Sequence, residues 1–147
     1  MVAASELPIE TVREGTTATD MANAIFGNGV TVTGATYFGD NDSAGIYSGG
    51  TTTSPGVTPG DTGVILSTGN AEDFTNTSGA EANQRANTST NTSGTNNFGA
   101  YNAAAGGRTY DAATLDIDFI PDTSVMTMQF VFSSEEYPEF ENSIYQD

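Results

Sequence analysis

The chain has 147 residues, which is the length of one domain with a single core. It carries 19 Asp and Glu against three Arg, with no Lys and no His. The formal net charge of −16 repels nucleic acid and anionic membrane surfaces and excludes both as partners. The absence of Cys excludes disulfides and thiol nucleophiles. A surface built from Thr, Ser, Asn and Gly is typical of an extracellular domain, although the cytoplasm of a halophile also favours an acidic, Lys-free surface.

The N-terminal part predicts a lead-in followed by one helix. Residues 1–17 form an irregular or extended lead-in without a basic and apolar leader, and no run of 18 apolar residues predicts membrane insertion. Residues 19–26 predict a short helix, because Thr19 can cap it, Asp20 suits its first turn and Gly27 ends it. We therefore place a single domain at residues 18–147.

The middle of the chain predicts short strands and a long loop. Residues 30–38 alternate as a strand with a break at Gly34, and residues 44–47 predict a second strand. Residues 63–67 are apolar almost throughout, which favours a central strand. Residues 75–107 are rich in Asn, Thr, Ser and Gly, so they predict a long surface loop.

The clearest pattern follows that loop. Apolar residues alternate with polar ones on both sides of a turn at residues 121–124, and they predict a β-hairpin closed by a four-residue loop: Leu115, Ile117 and Phe119 before it, and Met126, Met128, Phe130 and Phe132 after it. Many short strands with Gly and Pro turns and one short helix predict an all-β fold, a jelly-roll-like β-sandwich.

The second strand of this hairpin leads into an acidic stretch without a positive charge. Calcium prefers oxygen ligands, so this stretch and the exposed face of the preceding strand predict a structural Ca²⁺ site: Glu135, Glu136, Glu139, Asn142, Asp147, Asp116 and Asp118. The alternative is that these acids only solvate a sheet edge and limit aggregation. An EF-hand at residues 40–51 is excluded, because Ala44 and Thr51 stand where it needs ligands.

Catalysis is not expected. Without His or Cys only paired carboxylates remain for catalysis, and the adjacent Glu135 and Glu136 would face opposite sides of a strand. Asp116 and Asp118 share a face, but solvent exposure alone explains their alternation with apolar residues. Exposed tyrosines could instead stack on a polysaccharide, although packing at strand edges with a solvated hydroxyl is the simpler interpretation: Tyr37, Tyr47, Tyr101 and Tyr110.

Four segments in order resemble the choice-of-anchor L domain. They are Ile-Tyr-Ser-Gly-Gly at 46–50, Gly-Val-Ile-Leu-Ser-Thr-Gly-Asn-Ala at 63–71, Thr-Tyr-Asp-Ala-Ala-Thr-Leu-Asp-Ile-Asp-Phe-Ile-Pro at 109–121 and Phe-Val-Phe-Ser-Ser-Glu-Glu-Tyr-Pro-Glu-Phe at 130–140. The resemblance covers residues from about 18 to 147. It implies a bacterial extracellular or cell-surface domain with no established enzymatic activity. Such domains usually continue into further strands, so it also implies the N-terminal portion of a domain that is incomplete at its C-terminus.

These observations predict a non-catalytic, secreted or surface-displayed module for adhesion or extracellular matrix, stabilised by calcium. One alternative is a self-assembling filament subunit whose sheet is completed by a strand from another protein chain, including after cleavage near Asp147. The other alternative is a carbohydrate-binding module with polysaccharide as its partner.

Overall fold

The computed structural model describes residues 6–74 and 90–134, and within them five strands form two antiparallel sheets accompanied by short helices. The strands are β1 (Ile9–Thr11), β2 (Val30–Phe38), β3 (Ala44–Tyr47), β4 (Gly63–Leu66) and β5 (Thr114–Pro121). The α-helices are α1 (Ala18–Ile25), α2 (Gly50–Thr53) and α3 (Gly99–Ala105), and the 3-10 helices span Val12–Glu14 and Ala71–Phe74. A mostly β architecture is thus confirmed.

The first sheet has the strand order β1-β3-β4, with Ile9 opposite Tyr47 and Ala44 opposite Leu66. The prediction of a central strand at 63–67 is wrong within the described residues, because β3 lies in the middle and β4 pairs on one side only. The apolar composition of β4 has another cause, since α1 packs against it. One core cluster of this sheet joins both β1 and β3 to the 3-10 helix that follows β4: Leu7, Ile9, Tyr47 and Ala71, with Ile65 packed against it.

Helix α1 connects the two sheets. It packs against β2 of the second sheet as well as β3 and β4 of the first, and Met21 and Ala22 on it are fully buried. The predicted helix is confirmed, but its cap is Thr17 and not Thr19. The Thr17 hydroxyl accepts a hydrogen bond from the Asp20 backbone N–H at 3.1 Å, and the Asp20 carboxylate accepts one from the Thr17 N–H at 3.0 Å. This reciprocal capping box fixes the start of the helix.

The second sheet consists of β2 and β5. Their register runs from Val30 opposite Pro121 to Phe38 opposite Thr114, with a shift between Val32 and Gly34. The predicted break at Gly34 is therefore confirmed as an irregularity inside a continuous strand. The alternation along β5 is confirmed too, since its Asp residues are exposed while Leu115, Ile117 and Phe119 are half-buried.

The predicted hairpin does not form. β5 pairs with β2, and residues 125–132 have no strand partner in the part of the chain that the structure describes. Two features favour the pairing with β2. β2 alternates with the same two-residue period as β5, and the ring of Phe119 on β5 packs on that of Phe26 at a centroid distance of 4.8 Å. Alternation indicates that a strand has two unlike faces, but it does not say which strand lies beside it.

The predicted loop at 75–107 contains a helix. Residues 75–89 lie outside the described residues, while α3 occupies residues 99–105. Ring packing and hydrogen bonds hold it in place. The rings of Phe98 and Tyr101 pack at 4.8 Å, and the Asn102 side-chain oxygen accepts hydrogen bonds from the backbone N–H and the hydroxyl of Thr109.

Candidate functional site

The predicted calcium ligands of β5 lie on one exposed face of the second sheet. Asp116 stands opposite Thr36 and Asp118 opposite Gly34. The Asp118 carboxylate extends over this glycine, where an added Cβ would meet its Oδ2 at 3.3 Å. Among residues 6–74 and 90–134, no group of three or more His, Cys, Asp or Glu side chains converges as metal ligands. β5 therefore offers two carboxylates on one face.

The other predicted ligands lie outside the described residues: Glu135, Glu136, Glu139, Asn142 and Asp147. The calcium site as a set of seven residues stays a prediction. What the structure adds is the position of its two N-terminal members, on the last strand before the acidic stretch.

A second carboxylate site, which the sequence did not indicate, surrounds Asp40 between β2 and β3. Its Oδ2 accepts hydrogen bonds from the Ser93 N–H at 2.8 Å and the Ser93 hydroxyl at 2.7 Å, and its Oδ1 accepts one from the Asp42 N–H at 3.0 Å. The bond from the Asp42 N–H, the bonds from Ser93 and the nearby Arg13 charge lower the pKa of Asp40 to about 2. Asp40 thus joins segments that are 53 residues apart in the chain.

Arg13 completes this site. Its Nε donates to the Asp42 carboxylate, its Nη2 lies 3.9 Å from Asp40 Oδ1, and its backbone N–H donates to the Asn41 carbonyl at 3.0 Å. The hydrogen bond and charge of Asp42 raise the pKa of Arg13. The carboxylates of residues 40–42 are therefore bound by protein groups, and we assign them a structural role. Their distant partners come from the 3-10 helix Val12–Glu14 and from residue 93, which explains why residue spacing within the loop could not reveal the site.

The four candidate tyrosines do not form a common platform. Tyr47 is buried in the core at 6% exposure, so its predicted exposure is wrong. The Tyr37 hydroxyl donates to the Asp40 carbonyl at 2.7 Å, and burial together with the Asp40 charge raises the pKa of Tyr37 to about 12. Tyr101 exchanges a hydrogen bond with Thr114 at 2.7 Å, whereas Tyr110 is 54% exposed beneath the Arg108 guanidinium.

Among the described residues, the most exposed apolar surface is residues 125–132, which we call the free segment. Its sequence is Val-Met-Thr-Met-Gln-Phe-Val-Phe, without a charge, a Gly or a Pro. Six of its side chains are 48–76% exposed: Val125, Met126, Met128, Phe130, Val131 and Phe132. Residues 128–131 line a shallow depression together with residues 56–59. An apolar surface of this kind marks an interaction site or an aggregation hazard.

The fold and these surfaces define a strongly acidic, β-rich domain without disulfides. None of the helices in the described ranges is long and apolar enough to cross a membrane. The family model of the choice-of-anchor L domain matches residues 10–147, and the chain belongs to this family. The family indicates a surface-associated bacterial module and is not known as catalytic. The searches of curated proteins and of solved structures gave no match.

Proposed function

We propose that this domain is a non-catalytic module, displayed on or secreted from a bacterial cell, which serves adhesion or an extracellular matrix. The observation that supports it most strongly is the family match over residues 10–147. The composition agrees, because a Thr-, Ser- and Asn-rich surface with a net charge of −16 suits an extracellular domain. We further propose that the two sheets, with α1 against both, belong to a jelly-roll-like sandwich.

Calcium stabilisation is the second part of the proposal. Asp116 and Asp118 lie exposed on the strand that precedes an acidic stretch, and bringing more carboxylates to them would be costly without a cation. Calcium accepts six to eight oxygen ligands in flexible geometry, so it can bind carboxylates from a strand and a following loop. It would also stabilise a domain that lacks disulfides.

Paired variants test the ligands. In the double variant Glu135→Gln with Glu136→Gln, the rise of the unfolding temperature caused by calcium should disappear. The matched control Glu10→Gln removes the charge of an exposed strand residue outside the proposed site and should keep the full rise. A full calcium response in the double variant would remove both residues from the site.

The surface role has its own test. Mild protease treatment of intact source cells should remove the domain, detected by an antibody, while a cytoplasmic marker remains. Protection of the domain in intact cells, with digestion only after lysis, would refute display at the surface.

The free segment favours a second candidate function, a self-assembling subunit completed by a strand from another chain. Its eight residues are uncharged and exposed, and most of them have a high strand propensity. Such a segment is able to add to an open sheet edge. Light scattering should then show assembly that increases with protein concentration, whereas a constant monomer mass over the whole range would exclude it.

A further inference from the structure

The free segment and β5 have matching lengths and matching patterns. β5 has eight residues and pairs with β2 along one edge, and in the described ranges no strand lies along its other edge. The free segment also has eight residues and no strand partner there. One molecule therefore carries both an open strand edge and a strand that could cover it.

The two do not meet within one chain in this structure. The N–H of Asp122 donates to the Gly29 carbonyl at 2.8 Å, which extends the ladder with β2 beyond Pro121. Residue 122, where a tight turn towards the open edge would begin, is thus bonded to β2. The free segment then runs beside residues 56–59, which belong to the connection before β4.

One antiparallel register brings like faces together. With Ile117 opposite Met128, the apolar residues on either side also meet: Leu115 with Phe130 and Phe119 with Met126. In the same register the exposed Asp116 and Asp118 stand opposite neutral side chains, Gln129 and Thr127. A shift by one residue would place the acids opposite apolar side chains, so the pattern specifies the register.

We propose that the free segment of one copy of this chain pairs with the open edge of β5 in a second copy. This inference rests on the second candidate function and identifies the other chain as a copy of this one. Every copy supplies both a donor strand and an acceptor edge, so the pairing is complete without another protein. A reciprocal exchange gives a dimer, and donation from each copy to the next gives a filament.

The exposed apolar area sets an upper limit that is compatible with a stable contact. A Phe side chain buries about 150–250 Å², so Phe130 and Phe132 at 76% and 70% exposure still offer about 300 Å² together. With the other four apolar side chains, each segment can cover roughly 600 Å², and two segments in a reciprocal exchange reach the lower end of the 1,200–2,000 Å² that specific interfaces bury.

Charge gives the pairing a recognisable salt dependence. Two copies that each carry a net charge of −16 repel one another, while the free segment itself is neutral. Added salt screens this repulsion, because the Debye length falls from about 20 Å at ~20 mM NaCl to about 4 Å at ~500 mM. Association between copies should therefore strengthen over this range. Binding of a basic partner would weaken over the same range.

Cysteine cross-linking tests the pairing directly, because the chain contains no Cys of its own. The single variants Asp118→Cys and Thr127→Cys are mixed and oxidised. Residues opposite each other in an antiparallel pair have Cα atoms about 4.5–5.5 Å apart, which a disulfide can span. Because each chain holds one Cys, only pairing between copies can link residue 118 to residue 127.

The expected result is a mixed disulfide between residues 118 and 127, identified by peptide mass, in several-fold excess over either homodimer. A statistical mixture, in which the mixed disulfide is only about twice as abundant as either homodimer, would overturn the proposal. So would the double variant Asp118→Cys with Thr127→Cys if it formed only an internally bridged monomer. The cross-link is detected whether or not filaments form, so its failure can be separated from failure of the proposed function.

A matched pair of charge variants provides a second readout. Phe130→Lys places a charge on the apolar face of the pairing and should abolish association measured by light scattering. Its neighbour Gln129→Lys makes the same charge change on the other face, opposite Asp116, and should preserve or strengthen association. Both residues are exposed, so neither change should unfold the monomer. Equal effects of the two variants would contradict the register.

Discussion

Replacing Asp40 with Ala should destabilise the domain more than removing a carboxylate that is exposed to solvent. The Asp40 side chain is only 14% exposed, and its two oxygens accept three hydrogen bonds from Ser93 and Asp42. Hydrogen bonds to a charged acceptor contribute about 1.5–3 kcal/mol, while solvent screens the ion pair with Arg13, which is itself 61% exposed. Because water can partly replace the lost partners, we expect a net loss of about 2 kcal/mol.

The measurement is thermal unfolding followed by circular dichroism, with urea unfolding to obtain the free energy. For a domain of this size, about 2 kcal/mol corresponds to roughly 4–8 °C. The control is Glu10→Ala, which removes the same charge from an exposed position on β1 outside the proposed calcium site. If both variants unfold within about 0.5 kcal/mol of each other, the limit for ordinary surface changes, then Asp40 does not join residue 93 to the first sheet as described.

Three further predictions concern Asp40, the cap of α1 and a glycine of β4. The pKa of Asp40 is lowered in the folded state, so the stabilisation that its carboxylate contributes is complete above about pH 4 and is lost as the pH falls through about 2. In an acid titration, the stability difference between wild type and Asp40→Asn should vanish over this range. A difference that persists at about pH 1.5 would refute the assignment. Thr17→Ala should cost about 1 kcal/mol by urea unfolding, because it removes the cap of α1, and an unchanged midpoint would contradict that role. Gly63→Ala should cost about 1–3 kcal/mol because its Cβ would lie 2.6 Å from the Tyr47 hydroxyl, whereas Gly27→Ala meets no atom within 4 Å and serves as its control.

Local patterns in the sequence predicted local structure well. Helix α1 followed from its capping and stop residues, and β2 and β3 followed from alternation and glycine breaks. Each of these features depends on residues within a few positions of one another. The family also could be inferred, because four ordered segments carry its pattern and the family model matches residues 10–147.

The features that sequence reasoning missed depend on distant partners. The pairing of β5 with β2 joins residues more than 70 positions apart, and the same alternation would also have suited the predicted hairpin. The Asp40 site needs Arg13 and Ser93, which no local motif connects. The edge position of β4 was missed because its apolar residues pack against α1, and an apolar run does not distinguish a covering helix from a second neighbouring strand.

The candidate calcium site shows the same difference between features that depend on neighbouring residues and features that depend on distant ones. Alternation alone predicted that Asp116 and Asp118 share an exposed face, and the structure confirms that exposure. Convergence with the acids after residue 134 depends on how the chain folds back, which neither spacing nor composition specifies. The set of seven ligands is therefore a prediction that calcium binding can test.

The most direct test of the calcium-stabilised surface module is its unfolding temperature in excess EDTA and in millimolar calcium, with magnesium as the control. Calcium at about a hundred times its dissociation constant should stabilise the fold by roughly 2.7 kcal/mol, which is several degrees for a domain of this size. A rise in calcium that magnesium does not reproduce is the predicted result. The same unfolding temperature in EDTA and calcium would contradict the account and leave the carboxylates as protection of a sheet edge.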